Sequence, residues 1–62
     1  MQNRINHLKT MLNILETEKI EKIVELHWIN DIKKQLELQQ EIKKLDEKIN
    51  LIKKEIDFIL NY

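Results

Sequence analysis

The sequence predicts an all-α fold: an antiparallel two-helix hairpin, coiled-coil-like, that dimerises into a four-helix bundle. Three observations lead there. Glycine and proline are both absent from the 62 residues, whereas sheets and loop-rich folds need them at tight turns. Apart from its aliphatic residues the chain is mostly Glu, Lys and Gln, which lose little side-chain freedom in a helix. The apolar residues return at alternating intervals of four and three, the period at which helices pack on one another.

The first helix is expected at about residues 2–28. Met1, Ile5, Leu8, Leu12 and Leu15 keep a 4-3-4-3 spacing, and Ile23 and Leu26 resume that face after a gap at Lys19. A single lysine can lay its stem along an apolar stripe and lift its ammonium into water, so the gap weakens the stripe without ending it. The second helix is expected at about 31–61. There Leu38, Ile42, Leu45, Ile49, Ile52, Ile56 and Ile59 run 4-3-4-3-4-3 without a miss. Isoleucine at both core positions of the heptad disfavours a simple parallel pair and points to more strands.

Counted in sevens, the two stripes are out of register by two positions. One coiled-coil insertion shifts a register by three or four residues, so a single long helix does not reconcile them simply. Ile29, Ile32 and Leu36, between the stripes, point well away from the second one. A chain reversal at about 29–31 removes the conflict, because each helix then presents its own face. His27-Trp28-Ile29-Asn30-Asp31 carries chemistry suited to such a corner. Asn30 or Asp31 can cap the next helix by accepting from its first-turn N–H groups. Asn30 also tolerates the left-handed backbone that closes a helix where glycine is missing. Trp28 and Ile29 are expected to cover the turn. The competing architecture is one continuous long helix in a coiled coil, about 90 Å end to end.

A single domain this short buries only about 60% of the surface its unfolded form exposes, so it needs a staple. Without cysteine there is neither a disulfide nor a thiolate zinc site. His7 and His27 alone make a poor metal core. Association is left, and the apolar residues off the stripes favour it: Met11, Ile14, Trp28, Leu51, Phe58 and Leu60. Burying several of these at about 1.5–3 kcal/mol each would drive a second copy onto the hairpin. The expected oligomer seam is Ile5, Leu8, Leu12, Leu15, Ile23, Leu26, Leu38, Ile42, Leu45, Ile49, Ile52, Ile56 and Ile59. Trp28, Phe58 and Leu51 are the expected partner contacts.

Eleven basic and eleven acidic residues give a formal net charge of zero, with the signs intermixed. Nucleic acid and anionic membrane both reward a basic excess, so neither is the favoured partner. No run of about 18 apolar residues and no secretory leader is present, which fits a cytoplasmic protein with no membrane partner. The triplet Ile-Lys-Lys recurs at 32–34, 42–44 and 52–54. A ten-residue step rotates a helix by about 1000°, so successive lysine pairs lie some 80° apart and wind around it. Glu37, Glu41, Glu47 and Glu55 are interleaved. A solvated face is the expected outcome.

Catalysis has few candidates. Serine and cysteine are absent, and Thr10 and Thr17 are the only other hydroxyl nucleophiles of that kind. Phosphate-cradling loops need glycine. His27 and Asp31, four residues apart, could form half of a metal site but lack a third ligand at matching spacing. The chain is therefore expected not to be an enzyme, with no catalytic residue, metal site or cofactor.

The ending Glu55-Ile56-Asp57-Phe58-Ile59-Leu60-Asn61-Tyr62 resembles that of small helical-hairpin phosphatases that dephosphorylate aspartyl-phosphate response regulators during sporulation. Their second helix carries a Ser-x-x-x-Asp step followed by apolar residues. Asp57 matches the aspartate, while Lys53 stands where the serine belongs. The likeness covers under a fifth of the chain. It implies a hairpin, and it leaves the phosphatase activity without one half of its motif.

These features lead to a small self-associating helical protein, regulatory or adaptor in role. It would act through protein–protein contacts with a second copy and with another helical protein. The alternatives are an RNA-binding four-helix bundle, its basic face assembled across the dimer, and the phosphatase-like hairpin.

Overall fold

A computed structural model describes residues 2–61; Met1 and Tyr62, which the stripe and the resemblance above include, lie outside the described residues. Helix α1 spans Gln2–Trp28 and α2 spans Ile32–Asn61. The two helices pack against each other as an antiparallel hairpin. Its largest extent is 46 Å, the length of a helix of about 30 residues and half that of the continuous rod. The continuous helix is thereby excluded.

The corner is built by side chains that replace what glycine would have done. The Lys33 backbone N–H donates to Asp31 Oδ1 at 3.0 Å, the bond by which an N-cap residue satisfies an orphan donor of the first turn. The Gln35 N–H donates to the Asp31 carbonyl at 2.9 Å, starting the helical ladder. Gln35 Nε2 reaches back to the Ile29 carbonyl at 2.7 Å and so ties the exit of α1 to the first turn of α2. No described residue has a positive φ. Asn30 therefore does not take the left-handed conformation expected of it; the polar ties at Asp31 and Gln35 close the corner without it.

The core sits between the helices and is richest toward the open end. Leu8 is 2% exposed and packs with Ile52 and Ile56, flanked by Leu12, Leu15 and Ile59. Ile5, Leu38, Leu45 and Ile49 are also buried. Toward the corner α1 changes character. Its inward positions continue from Leu15 as Lys19, Lys22, Leu26 and Ile29, all half-buried, at the same spacings of four and three. Ile23, read from the sequence as resuming the stripe, is 37% exposed. Continuing the 3.5-residue period from Leu15 brings Lys22 inward and rotates Ile23 to the flank. Two lysines thus line the seam with their stems and carry their charges to its edges.

Candidate protein-contact surface

Ion pairs mark out the two flanks of the hairpin. Arg4 pairs with Glu55, and Lys22 Nζ lies 3.1 Å from Glu41 Oε2. Lys19 Nζ approaches Asp46 Oδ1 at 2.6 Å. Steps of seven residues turn a helix by about 700°, close to two full turns, so residues at that spacing share a line. Arg4, Met11, Glu18 and Glu25 form one such row on α1; Lys34, Glu41, Lys48 and Glu55 form one on α2. The Arg4–Glu55 pair links the two rows. So do two shallow grooves, one lined by Met11, Leu15, Lys48, Leu51 and Ile52 and the other by Glu18, Lys22, Glu41, Lys44, Leu45 and Lys48. These rows therefore edge one flank. The Lys19–Asp46 pair lies on the opposite flank, in a groove that also takes in Glu16, Ile20, Ile23, Ile49 and Lys53.

Just outside the first rows run two more, His7, Ile14, Glu21 and Trp28 on α1 and Glu37, Lys44, Leu51 and Phe58 on α2. All three residues expected to contact a partner fall there. Trp28 is 81% exposed, Leu51 67% and Phe58 66%. The exposure of Trp28 corrects the expectation that it covers the turn. Only Ile29 of that pair is half-buried, because the inward 3.5-residue line passes through Leu26 and Ile29 and leaves Trp28 outside it. Ile14 and Met11 extend the apolar surface of this flank toward the open end, at 59% and 38% exposed.

The electrostatics of the flank are uneven. The Lys22 ammonium is held above its ordinary value, chiefly by its hydrogen bond to Glu41. Partial desolvation opposes this, and the fields of Glu41, Glu18 and Glu25 add to it. One cation is thus surrounded by three carboxylates. On α2, Lys34, Lys44 and Lys48 form no ion pair among the described residues.

The other residues singled out by the sequence are scattered. His27 and Asp31 are both exposed, and Asp31 directs Oδ1 to the Lys33 N–H. Thr10 donates its hydroxyl to the Asn6 carbonyl at 2.9 Å, one helical turn back, and Thr17 faces an exposed groove with Asn13, Ile14, Glu18 and Glu21. Asp57 and Lys53 are exposed one turn apart on α2. Among the described residues no group of three His, Cys, Asp or Glu is placed to hold a metal ion, and no helix is long and apolar enough to cross a membrane.

The inward lysines were legible only in part. Strict continuation of the 4-3 spacing through Lys19 would have reached Lys22, but an aliphatic residue one position later was the stronger apolar signal. Comparison with protein-family models, curated proteins and solved structures returns no match, so the hairpin and its exposed flank stand on their own geometry.

Proposed function

We propose that the chain is a small self-associating helical adaptor or regulatory protein. It works in the cytoplasm through protein–protein contact rather than through catalysis. The supporting observation is the exposure of eleven large apolar side chains among the described residues of so short a hairpin, Trp28 foremost. A solvated two-helix hairpin covers only one side of each helix, and aliphatic and aromatic surface beyond that is most simply explained by a partner. Helix-in-groove recognition fits, with apolar anchors framed by charges that set the register. The nearly even charge supports helical proteins as the partner class over nucleic acid.

Mass in solution tests this directly. Sedimentation equilibrium over a dilution series should give about twice the 7.6 kDa chain mass at high concentration and fall toward 7.6 kDa on dilution. Trp28 fluorescence should shift to the blue over the same range as the indole leaves water. A single folded 7.6 kDa species at every concentration overturns the self-association reading.

A further inference from the structure

We propose that the two-residue offset between the seams of α1 and α2 is a built-in bar to arm exchange, in which one copy's α1 would pack on another copy's α2 through a straightened corner. Copies of the chain then meet as closed hairpins. The inference goes beyond self-association, because it holds whether or not closed hairpins bind each other.

Local chemistry leaves the corner open to straightening. It contains no glycine or proline, and no described residue has a positive φ. The Asp31 and Gln35 side chains tie it by a hydrogen bond each, at an exposed and a half-buried position. Short hinges of this kind invite identical elements to swap between copies. The seams supply the restraint. On α1 the inward residues step by three and four without a miss from Ile5 to Ile29, and on α2 from Gln35 to Ile59. Carried onward from Ile29, the α1 spacing would reach Lys33 and Leu36, both exposed. The α2 helix instead turns Gln35 and Leu38 inward, two positions later. Two residues turn a helix by about 200°, so in a straightened chain the two seams face nearly opposite sides. A second straightened chain, parallel or antiparallel, would have to lie on one side along α1 and cross to the other along α2. Paired helices wind round each other once in about 150 Å, so half a turn takes about 75 Å. The step from Ile29 to Gln35 provides about 9 Å. A straightened pair therefore covers one seam and leaves the aliphatic residues of the other in water. The closed hairpin covers both.

The cysteine-free chain allows the distance within one copy to be read. Asn6→Cys and Asp57→Cys, exposed and one on each helix near the open end, carry spin labels on the same chain. That chain is refolded from urea in excess unlabelled protein, so pulsed dipolar spectroscopy sees only the intrachain separation. A closed hairpin gives a short distance, on the order of its 14 Å width; a straightened chain gives about 75 Å at 1.5 Å per residue. The short distance should hold at every protein concentration. Asn30→Ala with Asp31→Ala, which makes the corner helix-favouring and keeps the offset, should show it too. Deletion of Asn30 and Asp31 moves Gln35 to the place that follows Ile29 in the α1 spacing and brings the seams into line. That variant should lose the short distance and sediment as a dimer. Deletion of Asn30, Asp31 and Ile32 shortens the corner further, leaves the seams out of line and should not give the extended dimer. A long distance in the parent or the double-alanine variant, or extended dimers from both deletions alike, overturns the inference. So does a two-residue deletion that stays closed. If that deletion proves unfolded by circular dichroism, the double-alanine variant with five alanines inserted after residue 31 brings the seams into line without shortening the corner, and is judged by the same outcomes.

Discussion

Lys19→Leu weighs apolar burial against an ion pair at one position of the seam. The lysine side chain is 29% exposed, so a leucine in its place would lose about seven-tenths of its surface to neighbours such as Ile23 and Ile49. Full burial of a leucine contributes about 1.5–3 kcal/mol. Scaling for exposure, and discounting what the lysine stem already buries, leaves roughly 1–1.5 kcal/mol. Against this stands the Lys19–Asp46 bridge; pairs this exposed are worth about 0.2–1 kcal/mol. Asp46, 48% exposed, rehydrates when its partner goes. The balance favours leucine by about 0.5–1 kcal/mol, or roughly 2–8 °C in Tm for a domain of this size. Urea unfolding followed by helical circular dichroism reads it, at one fixed protein concentration because association raises apparent stability. Asp46→Asn serves as the control, removing the bridge while leaving the stem, and should cost less than about 1 kcal/mol. A Lys19→Leu variant less stable than the parent by about 1 kcal/mol or more would refute the reasoning and make the ion pair, not apolar contact, the tie of the corner half.

Two further outcomes bear on the fold. Leu8→Ala, at the most buried position, should destabilise by about 2–4 kcal/mol, a large share of the stability of so small a domain; Val24→Ala, half-exposed, should stay within about 0.5 kcal/mol. Equal effects of the two substitutions would show that Leu8 is not at the centre of the core. Asp31→Ala removes the cap of α2 and should cost about 0.5–2 kcal/mol, whereas Asp31→Asn, which can still accept from the Lys33 N–H, should retain most of the stability in the same unfolding assay.

Much of the hairpin was readable because helix propensity and apolar period agree along nearly the whole chain. The α2 stripe from Leu38 to Ile59 is half-buried or buried throughout, as a repeat without a miss implies. The corner was readable at Asp31, whose side chain can do only a few things beside a helix start. It was not readable at Asn30 or Trp28, because conformational tolerance and bulk say what a residue can do without saying which backbone path a neighbour such as Gln35 will impose. The exposed apolar flank was visible in outline. Trp28, Leu51 and Phe58 stand off the stripes, but their common flank appears only when seven-residue rows on the two helices are joined through Arg4 and Glu55.

The sequence by itself determined two amphipathic helices, a break near residues 29–31 and a surplus of apolar side chains, since these follow from local propensity and periodicity. The tertiary structure alone decided that Lys22 rather than Ile23 turns inward, that Trp28 stays exposed on the hairpin, and that Arg4 and Lys22 pair across the helices with Glu55 and Glu41. Those outcomes depend on which side of each helix meets the other and at what level. That relation exists only between the helices.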